Sequence, residues 1–347
     1  MKKIIFAITL FLSLTTFAQK DSFVGFYKGE LSAPKYGYPF GADNTVYAEV
    51  FRDSSGYRLK LLPYIFANAE VMGQADNLSA SGDVITVSNV GSGEKFSNFK
   101  GVISPDKIDL QVQYLGKPAK IELKRLNVEV PSMNKQAPKN AIVLFDGKDL
   151  SAFKTRFRGK EVPMSWIIKD GSMTVDLKKK ESKYADIATK RVFDSPVFLH
   201  LEFMTPCNYS KPRVERSNSG VFFFDTYEIQ ILDSFGSEGY WDETGSVYRQ
   251  IPPQANASLE PGVWQTMDIE FYPAVYEGKK LVREPMFSVW HNGVKVQSQS
   301  PAKFPTRLHP KQGAQFDISK HTLKGDVSIQ GHGAEILFRN IWIIEKK

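Results

Sequence analysis

One cysteine, Cys207, stands in 347 residues. No internal disulfide can form, so burial and hydrogen bonds must hold the fold, and a lone thiol reads as a small buried hydrophobe. Histidine is scarce, with five in the chain, and none sits in an H-E-x-x-H pattern. A Walker loop, a G-x-S-x-G elbow and the glycine fingerprint of dinucleotide sites are also absent. These absences exclude the commonest nucleotide, serine-hydrolase and zinc-protease readings. The formal net charge is +7, but Lys and Arg are interspersed. No basic block exceeds Lys178 to Lys180, so nothing beyond the sign of the charge favours nucleic acid. Long apolar runs are missing except at Ile4 to Leu14, which follows Lys2 and Lys3 and precedes Thr16-Phe17-Ala18. That run is short for a membrane span and has the form of a signal peptide over residues 1–18. The expectation is an exported bacterial protein, periplasmic or extracellular, with no transmembrane segment.

Helical periodicity is rare, and what is present is period two. Val46 to Phe51, Tyr57 to Leu61, Val84 to Val87, Ile108 to Tyr114 and Lys120 to Leu126 alternate as strands. Asp53-Ser-Ser-Gly56 and Leu115-Gly-Lys117 read as hairpin turns between them. Residues 19–127 therefore form a small antiparallel β domain, a barrel or a sandwich. Residues 128–140 lose the alternation and gather Pro, Ser and Asn, as a linker does. From 141 to 347 strands resume: Phe198 to Phe203, Gly220 to Phe224, Tyr227 to Leu232, Trp264 to Phe271, Phe287 to Trp290, Val327 to Gln330 and Ile336 to Ile344. So many short strands in one region predict an all-β, two-sheet jelly roll. With 42% hydrophobic residues, the chain can fill two cores.

The strand YEIQILD at Tyr227 to Asp233 raises the chemical question. Ile229 and Ile231 face the core, so Glu228 and Gln230 face outward. Asp233 ends the strand. A second segment, Ile329-Gln330-Gly-His332-Gly, puts Gln330 and His332 on one face, with glycines leaving room beside the imidazole. Arg216-Ser-Asn218-Ser-Gly220 offers an amide near a strand start. Tyr248 and Trp264 are candidates for a wall on which a sugar ring stacks. Each has a plainer reading: solvated strand face, structural histidine, turn residue or core aromatic. The spacing Glu-x-Gln-x-x-Asp also resembles the Glu-x-Asp-x-x-Glu of laminarinase-type retaining glycosidases, but it departs at both later positions.

Taken together, the motifs carry a resemblance. LFDGKDL at Leu144 to Leu150, Trp166 followed by Lys169-Asp-Gly171, SNSGVFF at Ser217 to Phe223, YEIQILD, and TGSVY at Thr244 to Tyr248 occur in that order. Pro252-Pro253, PGVW ending at Trp264, HNGVKV at His291 to Val296, IQGHG, and FRNIWI at Phe338 to Ile343 follow. The series resembles the 3-keto-disaccharide hydrolase family, over about 200 residues and not over the N-terminal β domain. Gln265 departs from the family's usual Asn, and Tyr272 to Glu284 looks longer than usual. The resemblance implies a concanavalin A/glucanase-like jelly roll and cleavage of glycosides oxidised to a ketone at C3 of the sugar. For that chemistry Glu228 and His332 are the expected acid/base pair, with Asp233 assisting. Asn218, Gln230 and Gln330 would orient the substrate, and Tyr248 and Trp264 would stack on it. Lys190 and Arg191 lie near a family Thr-Lys segment. Glu228, Asp233 and His332 are also the groups available to a divalent cation, although no local ligand motif demands one. The alternatives are a carbohydrate-binding module without catalysis, and a retaining glycosidase.

Overall fold

In a computed structural model the described residues are 20–32, 44–66, 70–179, 182–212, 215–306 and 321–346. The apolar leader at 1–18 lies outside them. Among the described residues no helix is long and apolar enough to cross a membrane. The structure is all-β, and its cores fall in two clusters.

The first cluster fills a nine-stranded antiparallel sheet. Its order runs Gly73–Leu78, Gly56–Leu62, Thr45–Asp53, Gly25–Ser32, Lys117–Arg125, Lys107–Tyr114, Phe96–Ile103, Val84–Val90 and Ala80–Ser81. Both expected hairpins form. Asp53 pairs with Gly56, and Tyr114 with Lys117 across a turn whose Leu115 and Gly116 have φ of 48° and 76°. One end of the sheet folds back on the hairpin before Phe96–Ile103, because the Lys95 and Phe96 amides donate to the Met72 carbonyl and Gln74 bridges Ser92. These bonds curl the sheet into a barrel-like form and cover part of its edge. Alternating Val46, Ala48, Val50, Leu59, Leu61, Leu110, Ile121 and Leu123 fill the interior.

The second cluster lies between two sheets of a sandwich. One sheet has eight strands, with Val197–Met204, Gln265–Tyr272 and Leu337–Glu345 at its centre. The other has six, ordered Lys160–Val162, Phe153–Phe157, Asp186–Thr189, Val327–Ile329, Ser219–Phe223 and Tyr227–Ile231. Inward residues Val221, Phe223, Ile229 and Ile231 meet Leu199, Leu201, Ile269 and Phe271. Phe223 and Phe271 have centroids 5.0 Å apart. Each such side chain contributes about 2–3 kcal/mol by leaving water, and no disulfide is needed. Cys207 is buried and unpaired with another sulfur.

Barrel and sandwich share contacts. Phe235 and Leu259 of the sandwich loops pack into the barrel's cluster, and Phe26 stacks edge-on to Phe235 at 5.1 Å. Lys60 donates to the Gly236 carbonyl at 2.9 Å. The 130–135 stretch, between the last barrel strand and the first sandwich strand, is laid on the outer face of the eight-stranded sheet. Ser132 Oγ is 2.6 Å from Thr266 Oγ1, and the Asn134 amide donates to Glu202.

Candidate active site

The Glu228 strand is the last strand of the six-stranded sheet, yet its edge is covered. Val247 bridges Ile229, the Gln230 amide donates to the Ser246 carbonyl at 3.1 Å, and the Tyr248 amide donates to the Glu228 carbonyl at 3.0 Å. Gly245 to Tyr248 thus run as an irregular extra strand, which lines Tyr248 up with Glu228 and Ser246 with Gln230. On the other side the register sets Phe222 and then Ser328 level with Glu228, and Gly220 level with Gln230. The outer face of this sheet carries Glu228, Gln230, Gly220, Phe222, Ser328, Gln330, Asp186 and Arg156, while the isoleucines point into the core, as the alternation predicts.

Glu228 is buried, at 3% exposure. Its carboxylate leans over Gly220: a Cβ there would come within 2.3 Å of Glu228 Oε1 and 2.8 Å of its Cγ. Glycine at 220 is therefore a spatial requirement of the carboxylate. The Gln230 amide lies 3.1 Å from that of Asn218. With its nitrogen toward Ser219 O at 2.7 Å, it also donates to Glu228 Oε1 at 3.2 Å. Asn218, Gln230 and Glu228 form one polar chain. Gln330 is held on the neighbouring strand by its backbone: its N–H donates to the Gly220 carbonyl, and its C=O accepts from Ser219 Oγ. The hairpin that carries Glu228 turns at Phe224 and Asp225, both with φ near +55°, and Arg156 grips it. The Arg156 guanidinium pairs with Asp225 at 3.1 Å and with Asp326 at 3.0 Å. Nothing in the local sequence marks Arg156, because its partners are more than 60 residues away.

Tyr248 is half-buried on the same face. Burial pushes its phenol above the usual range; Arg249 opposes this and the Glu228 carboxylate adds to it. The Arg249 guanidinium lies 5.2 Å from the Tyr248 ring centre and 5.8 Å from that of Trp241, whose indole is 47% exposed.

Three sequence expectations are displaced. His332 is exposed, sits past the strand end and meets Tyr184 edge-on at 6.2 Å. It shares the outer face, but lies two strands across from Glu228 and four residues beyond Ser328. That spacing is roughly 15 Å between Cα atoms, so the carboxylate and imidazole are not side by side. Asp233 is buried, at 4% exposure, behind the strand end, beside Arg216 and accepting from the Phe235 amide. Burial raises its pKa to about 6, and Arg216 only partly offsets this. The strand ends at Ile231 and the chain turns, so alternation no longer governs residue 233. Trp264 belongs to the other side of the sandwich. It precedes a strand whose Thr266 and Asp268 face outward from the eight-stranded sheet, and Arg339 stacks on its ring at 4.0 Å.

Among the described residues no three His, Cys, Asp or Glu side chains converge on a point suited to a metal ion. Glu228, Asp233 and His332 are separated by the placements above and do not make a ligand set. Arg191 is drawn away to pair with Glu345.

A different cluster was not legible in the sequence. On the outer face of the eight-stranded sheet, His200 Nδ1 is 2.7 Å from Asp268 Oδ1, and Glu202 accepts from Arg339 at 2.7 Å and Asn340 at 2.8 Å. His200 and Glu202 are fully buried. Burial works against Glu202's charge, but His200, Asn340, Arg339 and the Asn134 amide together hold its pKa down to about 2. Only the pairing of distant strands brings these residues together.

No curated protein matches the chain at significance. Among solved structures, a proposed glycosyl hydrolase from Parabacteroides distasonis ATCC 8503 is 37% identical, with a TM-score of 0.51, over 60% of this chain and 85% of that one. Two more proposed glycosyl hydrolases from the same organism are 20% and 24% identical, each with a TM-score of 0.42. They cover 60% and 59% of this chain and 95% and 99% of their own. Residues 140–344 match the family described as the 3-keto-alpha-glucoside-1,2-lyase-like domain. That span holds the whole sandwich, including the Glu228 face, and the chain belongs to this family.

Proposed function

We propose that the protein is an exported bacterial enzyme that cleaves 3-keto-glycosides, 3-keto-disaccharides among them, by elimination and rehydration. A ketone at C3 acidifies the C2–H bond, because the resulting carbanion is an enolate. Glu228 removes that proton, the aglycone leaves C1 with its bonding pair, and an enone remains. Water then adds at C1, C2 regains a proton, and the products are a 3-keto sugar and the free aglycone. Base catalysis of this kind contributes about 10²–10⁴-fold. The observation that carries the reading is the Glu228 carboxylate held over Gly220, on a sheet face that also presents the amides of Gln230 and Asn218. Amides suit sugar hydroxyls and a ketone oxygen. Family membership and the 37% identical glycosyl hydrolase relative support the substrate class. No step is assigned to a metal. Export rests on the leader sequence.

The test is turnover of 3-keto-trehalose and 3-keto-glucosides by purified protein in deuterated water. Deuterium at C2 of the product, with no cleavage of the unoxidised sugars, is expected. Cleavage of the unoxidised sugars would show an ordinary glycosidase instead. Binding of the 3-keto sugar without turnover would leave a recognition module.

A further inference from the structure

The geometry points to Tyr248 as the acid that protonates the departing aglycone oxygen. This assignment rests on the elimination reading, and it gives that reading the proton donor that His332 is too distant to be.

The hydrogen-bond pattern around the Ile229–Val247 bridge makes Tyr248 and Glu228 directly opposed residues on one face. Directly opposed residues have Cβ atoms about 5 Å apart. A phenol reaches several ångströms further from its Cβ than a carboxylate does. The Glu228 carboxylate leans toward Gly220 on the far side, yet its charge still acts on the phenol, and C2–H and the C1 oxygen are the neighbouring sugar atoms the two groups would serve. The backbone of Gly245 to Tyr248 is fixed on both sides of the bridge, so the phenol is carried by a sheet edge rather than by a free loop. A phenol is protonated at neutral pH, as an acid requires, and burial raises its pKa further while Arg249 works against that rise. Arg249 lies against the ring and offers its positive charge to the phenolate left after transfer.

The proton balance closes within the two residues. Glu228 takes the C2 proton while the C1–O bond breaks, and the Tyr248 O–H gives its proton to the leaving oxygen. In the second half the phenolate takes a proton from the water adding at C1, and protonated Glu228 returns its proton to C2. Both groups end as they began, and no outside reactant beyond water is needed.

The discriminating experiment compares wild type with Tyr248→Phe on two 3-keto-glucosides, one carrying 4-nitrophenol and one carrying methanol. Nitrophenolate leaves without protonation, whereas methoxide does not. Loss of about 10²-fold or more in kcat/KM on the methyl glycoside, against less than about 5-fold on the nitrophenyl glycoside, is the expected split. C2–H exchange on the methyl glycoside should then outrun cleavage in this variant. Equal losses on both substrates, or no loss on the methyl glycoside, overturn the assignment of Tyr248 alone. Full activity of Glu228→Gln, or no turnover by wild type, overturns the elimination reading and this proposal with it.

Discussion

Each sheet of the sandwich carries a buried carboxylate on its outer face, and the two are held in opposite ways. Glu202 sits beneath the 130–135 stretch with Arg339, Asn340, His200 and the Asn134 amide around it. His200 and Asp268 beside it have the look of a catalytic dyad, but His200 has no solvent exposure and stacks on Trp342 at 4.9 Å. Glu228 instead leans over a glycine, lies within reach of the Gln230 amide, and faces a tyrosine across a backbone pairing. The first arrangement stabilises a charge in place. The second fills the place of a missing side chain at Gly220 with the carboxylate itself.

That contrast can be broken most forcefully at Glu228. Glu228→Gln should lower kcat on a 3-keto-glycoside by about 10³-fold with unchanged thermal stability, measured by steady-state kinetics and calorimetry. Glu202→Ala should do the reverse. It removes the acceptor for several buried donors and a cation, so stability should drop by about 3 kcal/mol in urea unfolding, with activity per folded molecule retained. The same site sets an acid limb. Because Glu202's folded pKa is depressed from 4.5 to about 2, its contribution is present above pH 4.5 and is lost as pH falls toward 2. Glu202→Ala should flatten that limb. Activity loss with Glu202→Ala, after correction for unfolded protein, would erase the distinction between the two faces.

Gly220→Ala tests the space under the Glu228 carboxylate. A methyl group there forces Glu228 aside, and a fall of about 10–100-fold in kcat/KM is expected, since small misplacement of a reacting group costs that much. The smallest effect concerns the contact between barrel and sandwich. Glu49 pairs in register with Phe26 and Lys60, both of which reach the sandwich, and its Oε1 is buried without a hydrogen-bond partner. Burial raises its pKa to about 7, with Lys60 opposing the rise. A raised carboxylate pKa means stability declines as pH climbs from about 4.5 through 7. Glu49→Gln should therefore raise unfolding free energy by about 1–2 kcal/mol at pH 8 and leave it nearly unchanged at pH 4.5, read from paired denaturation curves.

Much of this was legible from alternation. Ile229 and Ile231 inward with Glu228 and Gln230 outward follows from period two in any half-buried strand, and so do the barrel strands and both hairpin turns. The family motifs marked the sandwich. Short strands such as Asp186–Thr189 and Lys160–Val162 gave too few residues for a period to register. Arg156, Asp326, His200 and Asp268 carry no local pattern at all.

What the sequence determined alone is each strand's inside and outside, because side-chain alternation is a property of a single extended segment. Which strands lie side by side, and at what register, only the tertiary structure decided, because pairing is chosen by the packing of the whole core. That choice set Tyr248 beside Glu228, carried His332 along the sheet to its far end, and turned Trp264 to the opposite face.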